Sequence, residues 1–177
     1  STHMDGTRFA NALAATNASP AEMSWRAGVD VLCLGATKCG AMAAEAVILF
    51  DPAKAREFEL RRKRGGHLFS KMRFVAAQME AWLADGLWLR LAAHANAMAA
   101  RLREGMAARG VKIVHPGTGP AANLFFVELS AGQHAALQAA GMRYYASAAE
   151  REGRHSARIV ASFATREEDV EAVLAAL

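Results

Sequence analysis

Val29-Asp30-Val31-Leu32-Cys33-Leu34-Gly35-Ala36-Thr37-Lys38-Cys39-Gly40 is an apolar run that ends in a small-residue turn carrying one lysine. Val29 to Leu34 is partly β-branched and of strand length, which predicts a buried strand, and Gly35 to Gly40 predicts a tight turn at its end. Beyond the turn, Glu45 to Phe50 reads as a second strand. Asp51-Pro52 reads as the cap and first position of a helix running to about Arg62. A lysine is rarely placed directly after a buried strand for packing. Two readings fit Lys38: a partly desolvated amine able to attack a carbonyl and form a Schiff base, or a side chain that snorkels from the turn to solvent.

Upstream, Asp5-Gly6-Thr7-Arg8 places an acid and an arginine at the mouth of a helix predicted from Thr7 to about Thr16, where a preceding strand would end. Acid, arginine, then a lysine after the next strand is the arrangement a pyridoxal phosphate site requires. The carboxylate keeps the pyridine nitrogen protonated, which makes the ring an electron sink, and the lysine holds the aldehyde as an imine. These three residue types alone serve transamination, β-elimination or bond cleavage equally well.

The remaining pattern is rich in helix and then alternates. Ser19-Pro20-Ala21-Glu22 carries an N-terminal helix signature and opens one short turn, and Gly28 breaks it. After Gly65-Gly66, Ser70 to Leu83 repeats Met72, Val75, Ala76, Met79 and Leu83 at helical spacing. Gly86 to Arg109 sets Leu87, Leu91, Ala95, Met98 and Leu102 along one stripe and stops at Gly110, a C-cap glycine. Strands are predicted at Val111 to Val114, Asn123 to Leu129, Met142 to Ala146 and Arg158 to Phe163, with helices at Gln133 to Ala140 and Arg166 to Leu177. His115 to Pro120 reads as a loop, in which Gly117-Thr118-Gly119 is a lone turn, too weak a signal for a phosphate cradle. The predicted division falls inside the long helix, giving domains 1–105 and 106–177 with no flexible linker. No internal repeat is evident.

Composition sets the class. The 177 residues are 53% hydrophobic and 21% charged with 4 Pro, which excludes extensive disorder and collagen. The 42 alanines favour helices and close packing by small side chains. No apolar run approaches the roughly 20 residues a membrane span needs, and no signal sequence is evident, so a cytoplasmic protein is expected. Cys33 and Cys39 match neither a zinc spacing nor a disulfide framework and read as reduced thiols; no metal site is expected. The net charge of +4 is mild. Arg61-Arg62-Lys63-Arg64 reads as a solvated or anion-facing helix end without interleaved aromatics, so no nucleic-acid partner is expected. His67, His94 and His115 sit in no ligand or base motif.

His3-Met4-Asp5-Gly6-Thr7-Arg8-Phe9-Ala10-Asn11-Ala12 resembles the aspartate segment of the low-specificity L-threonine aldolases, pyridoxal phosphate enzymes of the aspartate aminotransferase fold type. The Ser19 to Met23 segment, the Lys38 turn, Glu45 to Phe50, Ser70 to Phe74, Asp85 to Trp88, Ala93 to Asn96 and Ala157 to Val160 follow in the family's order. The resemblance implies an α/β fold of fold type I: part of a large-domain sheet, then a small α+β C-terminal domain. It implies that Lys38 forms the Schiff base with the cofactor, that Asp5 pairs with the pyridinium nitrogen, that Arg8 lies against cofactor and substrate, and that Arg158 grips the substrate carboxylate. Lys63 and Arg73 match basic positions on the cofactor side, reached through a neighbouring subunit of a homo-oligomer. The implied reaction cleaves L-threonine and related β-hydroxy-α-amino acids to glycine and an aldehyde. Family members are about twice as long, so the resemblance also implies a C-terminal half, inactive alone. Another pyridoxal phosphate reaction such as β-elimination, or a non-catalytic folding or dimerisation module, stays open, as does whether Ser1 to Met4 is native.

Overall fold

The computed structural model describes residues 1–114, 121–147 and 153–177. His115 and Gly117-Thr118-Gly119 lie outside the described residues. Two compact units divide the chain, Ser1–Leu91 and Ala92–Leu177.

In the first unit, β1 (His3–Gly6) leads through α1 (Phe9–Thr16) to β2 (Val31–Gly35) and β3 (Glu45–Leu49), followed by α2 (Ala55–Arg64) and α3 (Met72–Leu83). The three-stranded sheet has the order β1-β2-β3. β1 and β2 are parallel, with Asp5 opposite Cys33 and Gly6 opposite Leu34. Parallel neighbours need a long crossover, and the α1 segment supplies it, so both strands end at the same edge. β3 runs antiparallel to β2, because the short connection 36–44 permits only a reversal. Phe9, Leu13, Leu32, Leu34 and Trp82 are buried, each contributing roughly 1.5–3 kcal/mol of transfer free energy. Asp51 caps the next helical segment by accepting from the Ala53 amide at 3.0 Å, with Pro52 in the first turn.

In the second unit, the antiparallel sheet β4-β5-β7-β6 is formed by β4 (Lys112–Val114), β5 (Leu124–Ser130), β6 (Tyr145–Ala146) and β7 (Arg154–Val160). Strand alternation decides its faces. Phe125, Val127, Leu129, Ala157 and Ile159 are buried, whereas Phe126 and Val160 are exposed. Helix α4 (Leu87–Ala108), with α5 (Ala131–Ala139) and α6 (Glu167–Ala175), supplies Met98, Leu102, Met106, Leu137, Val170 and Leu174 to the same core. A reciprocal capping box starts α5: Gln133 N–H donates to Ser130 Oγ at 3.2 Å and Ser130 N–H to Gln133 Oε1 at 2.9 Å.

Several expectations shift. Strand β7 begins at Arg154 and ends at Val160, not at Arg158 to Phe163. Its outer residues are polar, which conceals the alternation, and Ser162 and Thr165 form a turn through a 2.8 Å bond. Helix α5 starts at Ala131, since Gln133 is the third residue of its capping box. The strand expected from Met142 is paired only at Tyr145–Ala146. The helix expected from Ser70 begins at Met72; along it Met72, Val75 and Met79 are half-buried and Leu83 is exposed, while Trp82 is buried. Both cysteines are free thiols, Cys39 buried and Cys33 half-buried. Among the described residues no helix is long and apolar enough to cross a membrane.

Gly105 tests the second core. A Cβ there would run into the Leu174 side chain, and Leu174 is only 5% exposed. Gly105→Ala gains about 1 kcal/mol of helix propensity but incurs about 1–3 kcal/mol of overpacking. We expect a net loss of about 1 kcal/mol, read as a lower urea midpoint; a raised midpoint would show that Leu174 yields.

Candidate functional site

The parallel pair β1/β2 directs its carboxyl ends to one edge, the position at which open α/β sheets bind ligands. Asp5 lies at the end of β1. Its Oδ1 accepts from the Thr7 amide at 3.0 Å and the Thr7 hydroxyl at 2.8 Å. The Thr7 hydroxyl first, then the Thr7 amide, hold the Asp5 carboxyl below the usual carboxylate range, and the Lys38 ammonium and His3 add smaller effects of the same sign. Lys38 follows β2 at the same edge of the sheet at which Asp5 ends β1. Next to Asp5, Cys33 Sγ lies 3.2 Å from His3 Nε2, and burial followed by the Asp5 and Glu45 carboxylates pushes the thiol up.

Lys38 sits in a short helical turn, Thr37–Cys39, directly after β2. Its side chain is exposed. The turn itself is tightly held. Ala36 N–H donates to Ala44 O at 3.0 Å, and Ala44 N–H to Thr37 Oγ1 at 3.1 Å, closing the neck of the loop. Trp82 Nε1 donates to Cys39 O at 2.8 Å, and Gln78 Oε1 accepts from Met42 and Ala43 N–H at 3.0 and 3.1 Å. At Gly40 the backbone takes φ +122°, and a Cβ would lie 2.6 Å from Leu91 Cδ1. Close approach also fixes Gly6, where a Cβ would lie 2.6 Å from Cys33 O.

Arg8 is half-buried in the turn that opens α1, which begins at Phe9 rather than Thr7 because Thr7 is engaged with Asp5. Lys63 is exposed in the last turn of α2. Arg73 is exposed on α3, its guanidinium 4.8 Å from the Phe74 ring centroid.

Arg158 belongs to the second unit. β7 lies between β5 and β6, so Arg158 is on an inner strand, paired with Phe126 on one side and Tyr145 on the other. Its guanidinium lies 4.7 Å from the Tyr145 ring centroid, and its buried Nε makes no hydrogen bond among the described residues. A shallow depression of about 470 Å³ opens here, lined by Phe126, Tyr145, Ser156 and Arg158 among others. No metal-ligand cluster occurs among the described residues.

Sequence reasoning missed Thr7, Gln78, Trp82 and Tyr145. The spacing Asp5-Gly6-Thr7 carried the signal for the first, an Asp whose side chain bonds the backbone two residues on. Gln78 and Trp82 had none, because their partners are 35 to 43 residues away in the chain.

The chain thus combines a parallel pair carrying an acid and a lysine at its carboxyl edge with an antiparallel unit that bears a depression lined in part by Arg158, a mixed α/β fold. The fold matches a solved threonine aldolase from Leishmania major with a TM-score of 0.83 and 29% identity, covering 98% of this chain and 49% of that one. Residues 1–131 match the beta-eliminating lyase family model, and the chain belongs to that family. Two low specificity L-threonine aldolases are similar to it. That of Pseudomonas aeruginosa is 45% identical over 172 residues, covering 97% of this chain and 47% of the relative. That of a Pseudomonas species is 41% identical over 174 residues, covering 98% and 48%. The chain spans about half the length of these curated relatives.

Thr7→Val removes the hydroxyl donor and keeps the amide. The Asp5 titration, followed by NMR, is expected to move up toward the ordinary carboxylate range. The sign follows from linkage: a lowered folded-state pKa stabilises above the unfolded value and that stabilisation is lost as pH falls through the folded one, so the variant is less stable than the parent above the carboxylate range and the difference disappears in acid. An unmoved Asp5 midpoint would contradict the assignment of Thr7 as the principal cause.

Proposed function

We propose that the protein carrying this chain is a pyridoxal phosphate-dependent aldehyde-lyase that cleaves L-threonine and related β-hydroxy-α-amino acids to glycine and an aldehyde. The single observation that supports this reading is the juxtaposition of Asp5, held ionised by Thr7, with Lys38 at the carboxyl edge of β1 and β2. The residues fit the cofactor chemically. Both Thr7 bonds fall on Oδ1, which leaves Asp5 Oδ2 to accept from a protonated ring nitrogen, and Lys38 presents an exposed Nζ.

When bound, pyridoxal phosphate supplies the electron sink for the pair released as the Cα–Cβ bond breaks. Lys38 would hold it through Nζ. Asp5 keeps the ring nitrogen protonated, and Arg8 lies against cofactor and substrate. Arg158 holds the substrate carboxylate in a planar, bidentate grip, with Tyr145 supporting one face of the guanidinium. Lys63 and Arg73 serve the cofactor side of a site completed in a cytoplasmic homo-oligomer. On this reading 1–105 is part of the cofactor-binding domain and 106–177 the small C-terminal domain.

The test uses this chain joined to the part of the Pseudomonas aeruginosa relative that it does not match. Lys38→Ala is expected to lower L-threonine cleavage by roughly 10³-fold, within the range a positioned catalytic side chain supplies. Arg158→Lys is expected to raise KM more than it lowers kcat. Glycine plus acetaldehyde supports the reading. A keto acid as the main product points to β-elimination on the same residues, and undiminished cleavage in Lys38→Ala overturns the role of that lysine.

A further inference from the structure

We propose that Gln78 and Trp82 are positioning residues that clamp the Lys38 turn from α3. They stand four residues apart and so share one face of the helix. Gln78 Oε1 receives two backbone donors, Met42 N–H and Ala43 N–H, while Gln78 Nε2 donates to Phe74 O at 3.1 Å. Only an acceptor can meet two N–H groups, which fixes the amide orientation, and the bond to Phe74 ties that orientation to the helix. Trp82 is 3% exposed, and its ring stands edge-on to Trp88 with centroids 5.5 Å apart. Its Nε1 bonds the carbonyl immediately after Lys38.

The loop 36–44 is thus closed at its neck by its own bonds and held beyond Lys38 by α3. The lysine side chain is exposed, so its direction depends on the backbone from which it departs. The clamp fixes that backbone. Gln78 and Trp82 touch neither cofactor nor substrate on this assignment; they act through Lys38, and the inference rests on the role proposed for that lysine.

The experiment uses the completed enzyme described above with three variants. Gln78→Met removes the acceptor at similar size, Gln78→Glu restores it, and Trp82→Phe keeps a ring without the donor. Two readouts are taken: amide hydrogen exchange at Met42 and Ala43, and the fraction of pyridoxal phosphate fixed by borohydride on Lys38 relative to Lys54, Lys63, Lys71 and Lys112. In Gln78→Met, exchange at both amides is expected to quicken about tenfold, the loss of one net hydrogen bond, and Lys38 labelling to fall by a similar factor. Gln78→Glu is expected to return both to the parent level, and Trp82→Phe to lower Lys38 labelling. Unchanged exchange in Gln78→Met overturns the clamp. Fast exchange with undiminished Lys38 labelling reduces Gln78 to a structural contact and overturns its positioning role. A parent enzyme without preferential labelling of Lys38 overturns the reading of the lysine itself, an outcome distinct from the other two.

Discussion

The parallel pairing of β1 with β2 is the constraint from which the first unit follows. With Asp5 opposite Cys33 and Gly6 opposite Leu34, the two strands must finish together, and whatever follows each of them is delivered to one edge. Approach is close enough that Gly6 and Gly35 have no room for a side chain: a Cβ at Gly35 would lie 2.5 Å from Glu45 Oε2 and 3.0 Å from Thr7 Cα. Small residues here are a condition of the sheet geometry. The candidate site sits immediately beyond them, where the backbone leaves the sheet after Gly6 and Gly35.

Much of this was legible in the sequence because it depends on local chemistry. A buried strand, a small-residue turn and a lone lysine are read from adjacent residues, as are the Asp51-Pro52 helix start and the Gly110 stop, where φ is +77°. What stayed hidden depends on partners distant in the chain. The polar Arg154, His155 and Ser156 do not announce a strand until β5 lies opposite them. The apolar spacing of α3 announces a core face, yet the structure leaves Phe74 and Leu83 exposed and buries Trp82 instead. Periodicity reports that a helix has an apolar side, and says nothing of whether this chain covers it.

The second unit shows how an antiparallel sheet divides its labour. One face is sealed by Val127, Leu129, Ala157 and Ile159 against the helices, and Arg101 links α4 to α6 through Glu167 and Glu171 at 2.8 and 2.5 Å, an exposed network of small energetic weight. The other face carries a row that crosses three strands, Phe126, Arg158 and Tyr145. A guanidinium flanked in this way is held on an inner strand, with its aromatic neighbour covering one side.

Because the Lys38 turn is tied to α3 at two points on one helical face, its geometry is sensitive to the phase of that helix. Inserting or deleting one residue between Met72 and Gln78 turns everything on one side of the change by about 100° relative to the other, which takes Gln78 and Trp82 off the turn together. A change of three or four residues nearly restores the phase. Tolerance of α3 to length variation should therefore be periodic, although the helix is largely solvent-exposed and its individual surface residues are free to vary.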